Sequence, residues 1–123
     1  MKLDEILEIC KELGLRTEKS GSDVTIVYCP TDPDLPRFLK YVAFWNQLEI
    51  TETVELTDGV LTQDSVTYFS CFNKECDFLF TKDDFMEFAN CFLKSVRNGQ
   101  KLKKKIEMNN KLEQMEKDFD DRI

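Results

Sequence analysis

The stretch FSCFNKECDFLFTKDDFMEFANCF, residues 69–92, holds three of the chain's five cysteines and seven of its ten phenylalanines. A thiolate can ligate a metal, attack an electrophile or form a disulfide. Histidine is absent from the chain. That excludes Cys-His and Ser-His pairs within it and removes the usual general base near neutral pH. No carboxylate pair stands out by context, so the sequence reads as that of a binding protein rather than an enzyme. In a reducing compartment five cysteines do not build a disulfide frame. Metal ligation is then the chemistry that the spacing favours.

Cys71 and Cys76 are separated by four residues, CFNKEC, between two expected strands. A turn of that size aims two sulfurs at one point. Zinc takes four tetrahedral ligands, with sulfur at about 2.3 Å. A strand over 77–80 would lead away from the turn by about 13 Å. A helix starting at Thr81 would fold back, with Cys91 about 15 Å along it. The two lengths nearly match, which returns Cys91 to the level of the Cys71–Cys76 turn.

Residues 66–97 resemble the ββα unit of a Cys-Cys-His-His zinc finger. Phe69-Ser70-Cys71 supplies that motif's aromatic-x-Cys, Cys76 followed by Phe80 its Cys-x-x-x-Phe, and Phe88 before Cys91 its apolar residue ahead of the first helical ligand. The sequence departs from the motif in three ways. The first helical ligand is cysteine, the spacing from Cys76 to Cys91 is about two residues longer than the usual ~12, and no second helical ligand follows. A fourth ligand has to come from elsewhere. Cys29, at a strand end before Pro30, is the best candidate; Asp32 is a weaker oxygen alternative. Cys10 is the weakest, because it falls on the apolar stripe of a helix. The expected set is Cys29, Cys71, Cys76 and Cys91, a closed structural zinc site worth on the order of 10 kcal/mol of folding free energy. The competing reading is an ordinary core in which free cysteines are buried beside phenylalanines.

The elements that would position these residues follow from periodicity. Leu3, Ile6, Leu7, Cys10 and Leu13 recur at helical spacing, with Gly14 as a C-cap. EKSGSD reads as a turn and Val24–Cys29 as a strand. Leu35, Phe38, Val42 and Trp45 line one face of an expected second helix, capped by Asp34 and reaching about Leu48. Strands are expected near 50–57, 60–63 and 66–71. Asp58-Gly59 makes a tight hairpin turn, and Gln63-Asp64-Ser65 makes a bulge or a second turn. Thr81 and Asp84 fit a capping box, Phe80 and Phe85 a hydrophobic staple. That helix should run to about Arg97 and stop at Asn98-Gly99. A last polar helix should carry Leu102, Ile106, Met108, Leu112 and Met115. The expected fold is α+β: a small antiparallel sheet with three to four helices, the zinc site joining a hairpin turn, a strand end and a helix. Residues 1–98 form one domain with the zinc site. Residues 99–123 are expected as a C-terminal polar helix, packed on that domain or frayed at its surface.

The chain's 123 residues carry a net charge of −7. Residues 1–93 hold eight Lys/Arg against eighteen Asp/Glu, while residues 94–105 hold six bases and no acid. The first turns of the helix from Thr81 read TKDDFMEF. Asp83, Asp84 and Glu87 suit the positive end of a helix dipole and disfavour phosphate, where a DNA-reading finger would place Arg, Lys, Asn or Gln. An acidic body suits a protein with a basic, nucleic-acid-binding surface. Asp83, Asp84 and Glu87 are the candidate contacts, and the reading disfavours direct nucleic-acid binding. The alternative is a small zinc-containing regulator or adaptor that touches nucleic acid through Lys94–Lys105. No apolar run approaches the ~20 residues of a membrane span, and MKLDEILEIC is acidic and amphipathic, unlike a signal peptide. The expected location is the cytoplasm.

In size, acidity, Lys/Asn/Phe-rich usage and mixed α/β make-up the chain is similar to small phage-encoded anti-CRISPR proteins, which inhibit type II RNA-guided nucleases. The resemblance implies a zinc-stabilised inhibitor acting in the host cytoplasm. It would bind the effector and block the loading or cleavage of DNA in its Lys/Arg-rich channels.

Overall fold

A computed structural model describes residues 1–29, 34–71 and 77–120, with side chains to residue 112. The element order is α1 (Leu3–Glu12), β1 (Arg16–Ser20), β2 (Val24–Tyr28), β3 (Leu39–Val42), a single 3-10 turn (Ala43–Trp45), β4 (Gln47–Thr57), β5 (Val60–Ser70) and α2 (Lys82–Asp120). The five strands form one antiparallel meander in the order β1-β2-β3-β4-β5. The fold is therefore α+β.

Helix α1 forms where its apolar spacing places it. Ile6, Ile9 and Cys10 are buried on one side. Gly14 follows at φ +78°, the left-handed conformation that ends helices. The β4–β5 turn is the expected one: Asp58 and Gly59 have φ of 52° and 81°, as a primed two-residue turn requires. The irregularity at Gln63-Asp64-Ser65 is a bulge. Thr51 pairs with Val66, Thr53 with Ser65 and Val54 with Gln63, so each strand contributes one extra residue, Glu52 and Asp64. Threonine hydroxyls hold both extra carboxylates: Thr67 Oγ1 donates to Glu52 at 2.6 Å and Thr53 Oγ1 to Asp64 at 3.2 Å.

Four expectations are corrected. First, the second helix over residues 34–48 does not form. Its span holds β3, the 3-10 turn and the start of β4. The Phe38 amide donates to Val27 O at 2.9 Å, and the Thr51 amide to Phe38 O at 2.7 Å. Sheet pairing on both sides overrides a helical spacing that Leu39-Lys40-Tyr41-Val42 also satisfies as an alternating strand. Second, the EKSGSD turn is confined to Gly21-Ser22-Asp23, and the residues before it form the strand Arg16–Ser20. All five of its side chains are exposed, so it carries no apolar alternation to betray it. Third, no strand spans 77–80; Asp77 makes one isolated bridge with Lys2.

Fourth, α2 does not stop at Asn98-Gly99 but continues as one 39-residue helix, about 58 Å long. The expected boundary between residues 98 and 99 thus falls inside a helix, and the described residues hold two α-helices rather than three or four. Within this helix Gly99 lies against β5. A Cβ there would lie 2.5 Å from Leu61 Cδ2.

The core lies between one face of the sheet and the first half of α2. Directly paired residues share a face. Val27, Leu39 and Ile50 are in register and buried, as are Tyr41 and Leu48. Against them α2 sets Phe85, Ala89, Phe92 and Val96, all buried and spaced i, i+4, i+7, i+11. Phe38 reaches the same layer, with its ring centroid 4.9 Å from that of Phe92. Phe69 meets Phe80 at 4.8 Å and Phe88 at 5.8 Å. Each fully buried phenylalanine contributes about 1.5–3 kcal/mol, so the phenylalanine-rich segment is first of all the core. No helix among the described residues is long and apolar enough to cross a membrane.

Candidate interaction surface

The sequence-expected ligands end in unlike surroundings. Cys29 follows β2 and is buried. Cys71 follows β5, half-buried, its amide donating to Asn46 O at 2.8 Å. Cys91 lies on α2 and is exposed. Cys76 and Asp32 lie outside the described residues. Among the described residues no group of three or more His, Cys, Asp or Glu is placed to hold a metal. Cys10 is fully buried, and burial pushes its thiol up to about 12. It is a core residue with negligible thiolate at neutral pH.

The first turn of α2 is built as its sequence implies. The Thr81 amide donates to Asp84 Oδ2 at 3.1 Å and the Asp84 amide to Thr81 Oγ1 at 3.2 Å, a reciprocal capping box. The Phe80 and Phe85 rings stack 6.1 Å apart as the staple. Asp84 is therefore engaged with its own helix terminus. Asp83 and Glu87 are exposed on the same turns.

The feature that sequence reasoning missed is on the sheet face away from the core. Register places Ile26, Lys40, Glu49 and Tyr68 in one row across β2 to β5, with Val24, Val42, Gln47 and Ser70 in the next. At the end of this face the 3-10 turn presents Phe44 and Trp45, which are 82% and 65% exposed; Tyr68 is 58% exposed. Asn46, left-handed at φ 48°, closes the turn and hands the chain to β4. Lys40, Val42, Trp45, Gln47, Glu49 and Tyr68 line a shallow groove of about 220 Å³. A second cleft, about 340 Å³, lies among Asp34, Leu35, Val60, Leu61 and Lys103.

The groove has a charged floor. Arg37 grips Glu49 with two parallel bonds, Nε to Oε1 at 2.8 Å and Nη2 to Oε2 at 3.2 Å. Gln63 Nε2 donates to Glu49 Oε1 at 3.1 Å and to Thr51 Oγ1 at 2.7 Å. Burial pushes the Glu49 carboxyl up. Hydrogen bonds from Arg37 and Gln63, with the charges of Arg37 and Lys40, outweigh that and leave it below its ordinary value. A carboxylate held this way is a poor proton acceptor near neutral pH. Its role in the groove is to fix Arg37 and Gln63.

No family model matches the chain, and neither does any curated protein or solved structure.

The arrangement is suited to recognition. Trp and Tyr give large, rigid contact area with a polar tip. Lys40 and the Arg37-bound Glu49 line the groove with them, and Arg16 stacks over Tyr28 at 5.2 Å on the neighbouring strands. Trp and Tyr are among the residues enriched at interface hot spots. The available signal was the period-two reading of Leu39–Val42: it puts Tyr41 inside and takes Trp45 off any buried stripe.

Proposed function

We propose that the chain is a protein-binding module that docks through the open sheet face around Trp45 and Tyr68, onto a partner with a basic, nucleic-acid-binding surface. The observation that carries this reading is two exposed aromatics flanking a groove whose floor is already ordered. Little side-chain entropy is left to lose on docking there. The ten-charge acidic excess of residues 1–93 supplies long-range attraction toward a cationic cleft. Asp83 and Glu87 add to that field and are secondary contacts. On this reading the protein acts in the host cytoplasm as an inhibitor of a nucleic-acid enzyme. The resemblance to anti-CRISPR proteins makes a type II RNA-guided nuclease the first effector to test. The reading does not depend on zinc.

The test is DNA cleavage by such a nuclease with increasing amounts of this chain. Inhibition is expected, weakened at least tenfold by Trp45→Ala or Tyr68→Ala, with melting temperatures unchanged because both side chains are mostly in solvent. Inhibition that is insensitive to both substitutions removes the groove from the interface. The second reading, contact with nucleic acid, is favoured by the exposed lysines 101, 104 and 105 on α2. Salt-dependent binding to random duplex DNA, lost on Lys→Glu changes there, would establish it in place of the first.

A further inference from the structure

Helix α2 has two halves with different surroundings. Up to Val96 it is seated on the sheet; from residue 104 to 112 every side chain is exposed. That outer half nevertheless carries four exposed large apolar side chains, Leu102, Ile106, Met108 and Leu112. At 100° per residue they fall within one face about 160° wide, with Lys105 and Asn109 along its middle. The centre of this face lies about 150° round the helix from the buried stripe Phe85–Ala89–Phe92–Val96. A second helix laid along it would therefore clear the sheet.

The pattern is symmetric about position 107. Leu102 and Leu112 are each five residues from it, Ile106 and Met108 each one, Lys105 and Asn109 each two. Glu107 itself points to the opposite side of the helix by the same rotation. The net charge of the helix changes sign about the same position. Residues 94–105 hold six bases and no acid, while residues 107–120 hold five acids and two bases. A two-fold axis through this position lays the basic segment of one helix along the acidic segment of another.

We propose that two copies of the chain pair antiparallel through the outer half of α2, centred at position 107. Leu102 then lies level with Leu112 of the second copy, and Ile106 with Met108. Lys105 lies level with Asn109 at the seam, a polar pairing that sets register and costs affinity. Lys101 lies level with position 113, a glutamate, and Lys94 with position 120, an aspartate. Lys103 and Lys111 are also level, as are Arg97 and Lys117, but these pairs lie about 140° and about 100° from the seam centre. A parallel pair would put basic segment against basic segment. The seam is distinct from the open sheet face, so the docking reading and this one stand or fall separately.

Sedimentation equilibrium of the full chain at low salt, over micromolar to millimolar concentrations, tests the pairing. A reversible dimer is expected, abolished by Leu102→Lys. Lys101→Glu and Glu113→Lys should each weaken self-association about tenfold, since each turns two attractions into repulsions. An equimolar mixture of those two variants should dimerise again, because the mixed antiparallel pair restores both attractions. A monomer at every concentration overturns the proposal. So does a dimer indifferent to Leu102→Lys, or two charge variants that fail to rescue each other. Circular dichroism confirms that each variant keeps its helix content.

Discussion

Gly99 on α2 lies against Leu61 on β5 so closely that a Cβ at position 99 would stand 2.5 Å from Leu61 Cδ2. Leu61 is buried. The contact sets how near the helix lies to the long hairpin, just before α2 leaves the body. A larger residue there displaces the buried Leu61 side chain, whose Cδ2 methyl is the nearest atom, or moves the two elements apart. Gly99→Leu is expected to destabilise the fold by about 1–3 kcal/mol, although leucine is the better helix former by up to ~1 kcal/mol. Denaturant unfolding reads the difference. An unchanged midpoint would mean that the Leu61 side chain gives way at no net cost.

Arg37 and Glu49 give a pH-dependent term. The folded-state carboxyl sits below its ordinary value of 4.5. Its contribution is therefore fully present above that value and disappears as pH falls through the depressed folded value. Arg37→Ala should cost about 2 kcal/mol at pH 7, because it removes two charged hydrogen bonds and leaves Glu49 mostly buried. At pH 3 the same substitution should cost less. A penalty that is equal at both pH values would show that Arg37 acts through packing alone.

The two ends of the acidic turn should separate. Thr81→Ala breaks the capping box and is expected to lower stability by about 1 kcal/mol. Asp83→Lys with Glu87→Lys touches no hydrogen bond among the described residues and should shift stability by less than about 1 kcal/mol, mostly through the helix dipole. The pair of charge reversals thus tests partner contact without unfolding the protein. If they unfold it, those carboxylates hold the helix start rather than await a partner.

Thiol reactivity distinguishes the cysteines. Cys91 is exposed and should react with a thiol reagent in the folded chain, whereas Cys10, fully buried with its thiol near 12, should react only on unfolding. The same experiment examines zinc. Protection of Cys91 that a chelator lifts, together with one zinc per chain, would establish the Cys29, Cys71, Cys76 and Cys91 site. Free reaction of Cys91 in metal-replete protein would remove Cys91 from any such set.

Some of this molecule was determined by residues close together in sequence. The Thr81–Asp84 capping box, the Phe80–Phe85 staple, the Asp58-Gly59 turn and the Ile6–Cys10 stripe each close within a few residues, so local geometry alone selects them. The rest depended on partners far along the chain. Leu39–Val42 became a strand because Val27 and Thr51 offer hydrogen bonds on either side, which no local helical spacing can match. Arg16–Ser20 pairs with β2 at the sheet edge through its backbone, which leaves no trace in side-chain pattern. Gly99 allows α2 to approach β5 because Leu61, thirty-eight positions earlier, fills the space a side chain would take. Trp45 is exposed because the strand before it turned its alternation against the buried stripe. Sequence determined the caps, the turn and the apolar inventory, because those energies are local. Tertiary structure decided which face of the sheet was left open and how closely α2 approaches β5, because those follow from hydrogen bonds and packing between distant elements.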